Sequence, residues 1–129
     1  MLQKLHIQNY AIIDEILIEF SSSLNIITGE TGAGKSILMG ALSLILGERA
    51  ESNTLMNKDK KCVVEVTDNG HGISTEHLEH LFEPFFTSKE KGTGLGLTNT
   101  QNIILSHKGS IRVKSEVGKG TTFIVTFNL

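Results

Sequence analysis

Three stretches of this sequence place reactive or phosphate-cradling residue types at spacings that can do chemistry. Asp68-Asn69-Gly70-His71-Gly72-Ile73 sets a carboxylate at the end of an apolar run, with two glycines just beyond it. A carboxylate so placed can accept a hydrogen bond from an amino group, and glycines let the backbone approach a ligand closely. Downstream, Gly92-Thr93-Gly94-Leu95-Gly96-Leu97 runs into a helical pattern. The N–H groups of such a loop point outward at the positive end of the helix, an arrangement that holds anions. The third stretch, from Gly29 to Gly34-Lys35-Ser36, matches G-x-x-x-x-G-K-[ST] in full between an apolar run and a helix pattern. In it the glycines turn N–H groups inward, Lys35 can reach terminal phosphates and Ser36 can hold Mg²⁺. Plainer readings stand beside these: Asp68 as a turn-capping aspartate, and Gly29–Ser36 as a β–loop–α building block.

Other reactive side chains carry less. Cys62 is the only cysteine and opens an apolar run, so it reads as a small core residue and not as a nucleophile. His77 and His80 lie three apart near His71, yet no further ligand is in view, so a metal site is not expected. The basic run from Lys58 to Lys61 encloses Asp59 and reads as a solvated turn. With 12 basic and 14 acidic residues, net charge −2, there is no footprint for nucleic acid. The longest apolar stretch, Ile37 to Leu46, is interrupted by Gly40 and Ser43 and falls short of the roughly 20 residues that cross a bilayer. No secretory signal is visible, and the cysteine usage fits a reducing compartment, so a cytoplasmic protein without a membrane partner is expected.

The elements that must position these residues follow from periodicity. Leu5 and Ile7, then Ile12 to Phe20, predict two strands around a polar corner at Gln8-Asn9-Tyr10. Leu24 to Ile27 predicts a short buried strand feeding the Gly29 loop, and Ile37 to Leu46 a helix ending at Gly47. Residues 51–62 form the junction. Val63, Val64 and Val66 predict the strand that delivers Asp68; Ser74 caps a short helix, and Pro84 closes it. A helix from about Leu97 to His107, capped by Gly109, precedes a hairpin of Ser110–Ser115 and Thr121–Phe127.

Two resemblances rest on these motifs. Residues 1 to about 50, including Met1 to Asp14 and Leu24 to Ser36, resemble the start of the bacterial DNA-repair ATPase RecN, of the SMC-like, ABC-type ATPases. No ABC signature, Walker B strand or coiled-coil arms accompany them. Residues 63–129 are different: Asp68 to Ile73, Leu81 to Lys89, and Gly92 to Leu97 resemble the G1, F and G2 boxes of the sensor histidine kinase catalytic domain, in the GHKL superfamily. Gly118 to Phe123 resembles that family's closing strand. The resemblance implies that Asp68 reads the adenine amino group, and that Gly70, Gly72 and Ile73 shape its pocket. It implies too that Lys89 and Gly92 to Leu97 face phosphates, that Phe82, Phe85 and Phe86 anchor a lid, and that Thr122 reaches the base. Core packing is the rival reading for Phe82 and Phe85. On a gapless overlay with the family's N box, Gly40 and Leu44 stand where its two functional Asn residues belong. No dimerisation helix carrying a phosphoacceptor His is present in the sequence.

The combined expectation is one chimeric domain over 1–129, engineered or selected. Its fold would be an α/β two-layer sandwich, a mixed sheet with about three helices on one face and its N-terminal part replaced by the Gly29–Ser36 segment. ATP or ADP would bind at the pocket of Asp68 and the Gly92–Gly96 loop with little or no catalysis, so the chain is not expected to be an enzyme; Ser36, in the Gly29–Ser36 motif, is the candidate Mg²⁺ ligand. A ligand-free scaffold and a binder working through Lys35 are the rival functions, and exchange of a segment between chains leaves room for a homodimer.

Overall fold

The computed structural model describes residues 1–30, 35–45 and 59–127. Five strands and three helices occur among them, in the order β1 (Leu2–Tyr10), β2 (Ile13–Glu19), α1 (Lys35–Ile45), β3 (Cys62–Asp68), α2 (Thr75–Glu79), α3 (Gly96–Ser106), β4 (Gly109–Glu116) and β5 (Gly120–Phe127). The sheet order is β2-β1-β3-β5-β4, and with its helices it makes the expected α/β fold. Each neighbouring pair is antiparallel, so the sheet is not the expected mixed one.

The reason lies at residues 20–30. A parallel pairing required Leu24–Ile27 to enter the sheet, but this run forms no strand, and Leu24 and Ile26 are 79% and 72% exposed. Apolarity suits a run to burial without naming its partner. Here β1 already occupies the edge of β3 that such a strand would have needed, through pairs such as Leu5 with Val66 and Ile7 with Val64.

Strand alternation sends one face of the sheet to the core. Leu5 and Ile7 of β1, Cys62 and Val64 of β3, and Val125 and Phe127 of β5 meet Leu38 and Ala41 of α1 and Ile104 of α3. Each fully buried aliphatic among them contributes on the order of 1.5–3 kcal/mol. Cys62 is buried, and burial pushes its thiol up to about 11, so it is the inert core residue expected. The opposite face carries polar side chains, with His6 of β1 between Glu15 of β2 at 2.8 Å and Glu65 of β3 at 3.3 Å.

Local signals explain most boundaries. The Ser74 hydroxyl accepts from the His77 N–H at 3.3 Å and starts α2, which ends well before Pro84. At the end of α3 the left-handed residue is Lys108, φ 57°, and not Gly109, which begins β4. Gly109 is instead a close-packing position: a methyl there would lie 2.8 Å from Phe127 Cδ1 and 2.9 Å from Ile104 Cγ2.

Candidate functional site

The strand β3 ends at Asp68, whose Oδ1 accepts the Gly70 N–H at 2.8 Å. That bond turns the chain sharply and holds the carboxylate over a cleft of about 520 Å³. Asp68, Gly70, Gly72 and Ile73 line the cleft on one side, Val66, Thr121 and Phe123 form its floor, and Ser88 and Lys89 lie at its rim. The capping and ligand-facing readings of Asp68 therefore coexist. One oxygen serves the turn, and a carboxylate has further acceptor capacity to offer.

Gly72 is the position where only glycine fits. Its φ is +75°, and an added Cβ would lie 2.2 Å from the Glu116 carbonyl oxygen and 2.9 Å from Val117 Cα. The turn is thus clamped against the β4–β5 hairpin, where the Gly118 N–H also donates to the His71 carbonyl at 2.8 Å.

A second cleft of about 290 Å³ adjoins the first and shares Ile73, Ser88 and Lys89 with it. Gly92, Thr93, Gly94, Gly96 and Leu97 line one side, and His77, Leu81 and Phe86 line the other. Helix α3 begins here. Its N-cap residue, Leu95, has no side-chain cap hydrogen bond, so no side chain competes for the first N–H groups of an 11-residue helix. Those groups and the helix dipole suit an anion at this end of the cleft. The lid is tied at both ends. The Phe85 N–H donates to the Gly94 carbonyl at 2.9 Å, and the Thr98 hydroxyl donates to the Phe82 carbonyl at 3.0 Å.

The aromatic residues divide differently from either expectation. Phe86 packs edge-on to His77 with ring centroids 5.4 Å apart and lines the cleft. Phe82 is half-buried, and Phe85 is 75% exposed, so Phe85 is not core. His80 hydrogen-bonds the Glu83 carboxylate at 2.8 Å, which raises its pKa, and so it serves a surface pair. No cluster of three or more His, Cys, Asp and Glu side chains suited to a metal occurs among the described residues.

The threonine that lines the cleft is Thr121. Thr122 faces the other side of the sheet, where its Oγ1 lies 2.9 Å from that of Thr67. One residue of register decides this, since alternate β5 side chains point to opposite faces. The pairing of Asp68 with Thr121 puts those two on the cleft side together. Ser115, which the sequence reading passed over, hydrogen-bonds Thr121 at 2.8 Å. The alternation of Thr121 with Phe123 and Val125 was the available signal for Thr121; for Ser115 there was none.

The front motif stands apart. Gly29 and Lys35 are joined, with the Lys35 ammonium donating to the Gly29 carbonyl oxygen, while Ser36 is exposed on the first turn of α1. None of the three lines either cleft described above. Gly34, like residues 51–58 of the junction at 51–62, lies outside the described residues. In α1, Gly40 faces Tyr10: an added Cβ would sit 2.6 Å from the tyrosine hydroxyl. The first of the two N-box positions is thus used for packing.

Residues 39–129 match the family described as Histidine kinase-, DNA gyrase B-, and HSP90-like ATPase. Sporulation kinase D of Bacillus subtilis (strain 168) is 56% identical over 68 residues, 53% of this chain and 13% of that protein. Sensor histidine kinase ZraS of Salmonella typhi is 45% identical over 87 residues, 67% of this chain and 18% of that protein. Among solved structures, the mycobacterial sensor histidine kinase MprB aligns with a TM-score of 0.47 at 31% identity, covering 52% of this chain and 47% of that one. The chain thus spans less than a fifth of the length of these two curated relatives. These matches overturn the expectation that the chain is not an enzyme, because the family is one of ATPases and the relatives are kinases. No helix among the described residues is long and apolar enough to cross a membrane.

Proposed function

The chain belongs to the histidine kinase-, DNA gyrase B- and HSP90-like ATPase family, and on that premise we propose that it is the ATP-binding part of a histidine-kinase-type enzyme. One observation carries the reading: two clefts joined at Ile73, Ser88 and Lys89, with the Asp68 carboxylate in one and the uncapped start of α3 in the other. Their polarities suit the two ends of ATP or ADP. Asp68 accepts from the adenine amino group, in a niche whose Ile73 and Val66 side chains replace water against the ring. Gly92, Thr93, Gly94 and Gly96 offer N–H groups to the phosphates. Lys89, exposed at the rim of both clefts, supplies positive charge above them. Bound ATP would supply the transferable phosphoryl group. This chain's part is to orient that group and shield it, and the phosphoacceptor His would come from another segment or partner. No cluster of His, Cys, Asp and Glu suited to Mg²⁺ occurs among the described residues, and Gly40 and Leu44 stand where the family's N box carries Asn.

The finer origin is also a proposal. Residues 1–50 are a RecN-like segment spliced at 51–62 to a histidine-kinase half at 63–129, in a single cytoplasmic domain, natural or engineered. Supporting this is the separate location of the Lys35 segment, away from both clefts. A nucleotide is the expected partner, and a segment-exchanged homodimer remains open to sedimentation analysis.

Calorimetric titration of ATP and ADP into wild type, Asp68→Asn and Lys35→Ala tests the binding site. Asparagine at 68 keeps an oxygen for the Gly70 N–H but withdraws the charged acceptor. Affinity should fall on the order of tenfold to a hundredfold in Asp68→Asn and stay level in Lys35→Ala. Loss of binding in Lys35→Ala alone would move the site to the front loop, and a folded wild type without heat would leave a scaffold.

A further inference from the structure

The chain has five histidines, His6, His71, His77, His80 and His107. Four of them have a ring nitrogen engaged: His6 with Glu15 and Glu65, His71 with the Gly72 carbonyl, His80 with Glu83, and His107 with the Ile103 carbonyl. His77 is the exception. Its backbone N–H donates to Ser74 and its ring packs edge-on to Phe86, but neither ring nitrogen has a hydrogen-bond partner among the described residues. The half-buried His77 lines the cleft at the start of α3. Two ionisable side chains stand in that cleft's wall, His77 from α2 and Lys89 from the lid, and no carboxylate does. Helix α3 and the loop before it bring only uncharged residues there, Thr93 and Leu97 among them. The carboxylates nearest in sequence are elsewhere: Glu76 and Glu79 are exposed on α2 outside the wall, and Glu83 is paired with His80.

We infer that His77 is a phosphate contact whose protonation is coupled to nucleotide binding, so that the site takes up a proton as it fills. The inference rests on the ATP-site reading above. Imidazole is the side-chain group that ordinarily changes charge between pH 5 and 8, whereas an ammonium does so well above that range. A neutral imidazole offers a phosphate oxygen one N–H; a protonated one adds a full positive charge to that bond. An anion within reach therefore favours the protonated ring. Coupling of this kind is reciprocal, so the anion also binds more tightly as pH falls. Lys89 and the start of α3 supply attraction across this range, and His77 makes its strength depend on pH. The terminal phosphate of a nucleotide also titrates, at about pH 6, so the part due to His77 is the difference between wild type and variant.

The test is calorimetric titration of ADP and of adenosine into wild type, His77→Gln and His77→Lys near pH 6, 7 and 8.5. At each pH two buffers of different ionisation enthalpy count the protons taken up with the ligand, and thermal melts check that each variant is folded. Between the lowest and highest pH, wild type should lose on the order of tenfold more ADP affinity than His77→Gln, the scale of one charge-assisted hydrogen bond. Proton uptake with ADP near pH 7 should be larger in wild type than in His77→Gln. His77→Lys, which carries its charge throughout, should follow the shallow slope of His77→Gln and bind ADP more tightly than wild type at the highest pH. Adenosine, which has no phosphate, should bind wild type and His77→Gln alike. Equal slopes and equal proton uptake in wild type and His77→Gln overturn the inference and leave the ATP site standing. So does an adenosine affinity that falls in His77→Gln as far as that of ADP, which would make His77 a packing partner of Phe86 alone. A folded wild type that binds no ADP overturns the ATP-site reading itself, and this inference with it.

Discussion

Gly72 and Gly118 offer a measurement of how tightly the Asp68 turn is clamped. Both are in the left-handed region, at φ +75° and +83°, so alanine at either meets the same backbone penalty. That penalty is roughly 1–2 kcal/mol for a residue with a Cβ. The surroundings differ. At Gly118 nothing lies within 4 Å of the added carbon, whereas at Gly72 it meets the Glu116 carbonyl oxygen at 2.2 Å and carbon at 2.7 Å. Those are backbone atoms of β4 and its turn, and they cannot rotate away. Relief requires the hairpin to move off the turn, a packing disruption of about 1–3 kcal/mol. The expected losses are therefore about 1–2 kcal/mol for Gly118→Ala and about 2–5 kcal/mol for Gly72→Ala. Urea unfolding followed by circular dichroism reads both, with midpoints compared at unchanged slope. Gly72→Ala should also weaken ATP, because the same movement opens the cleft beside Asp68, and Gly118→Ala should not. Equal losses for the two variants would refute the clamp, since backbone conformation alone would then account for both.

Two further outcomes follow from packing and charge. Gly40→Ala should destabilise α1 although alanine is the better helix former by about 1 kcal/mol, because its Cβ would press on the Tyr10 hydroxyl. In a Tyr10→Phe background, where that oxygen is gone, the same change should become neutral or stabilising, and chemical denaturation of the four proteins decides it. On the outer sheet face, burial pulls the His6 pKa down, but hydrogen bonds to Glu15 and Glu65 outweigh it and the net direction is upward. A raised folded pKa gives stability that is fully present below the unfolded value of about 6.5 and lost as pH rises through the folded one. Wild type should therefore exceed His6→Gln by most near pH 5.5, with the gap closing on the alkaline side; a gap that widens with pH contradicts the pairing.

Local chemistry made the second half of this chain readable. Asp68 with its following glycines, the Ser74 cap and the glycine-rich approach to α3 each answer a requirement met within a few residues: a sharp turn, an N-cap, an uncapped helix start. Sequence order therefore shows them, and with them the two ends of the candidate site. What depends on distant partners could not be read that way. Leu24 to Ile27 has the composition of a buried strand, yet β1 occupies the edge of β3 it needed, and the run lies exposed. Thr121 and Thr122 are adjacent and identical, and only the register of β5 on β3 tells which one shares a face with Asp68. Ser115 reads as an ordinary polar residue on an edge strand until the fold brings Ile73, 42 positions away, within 2.8 Å of its hydroxyl. Turns and caps are set by short-range sterics and hydrogen bonds that a sequence displays, whereas pairing, register and hydroxyl orientation are settled by which surfaces the whole chain buries together.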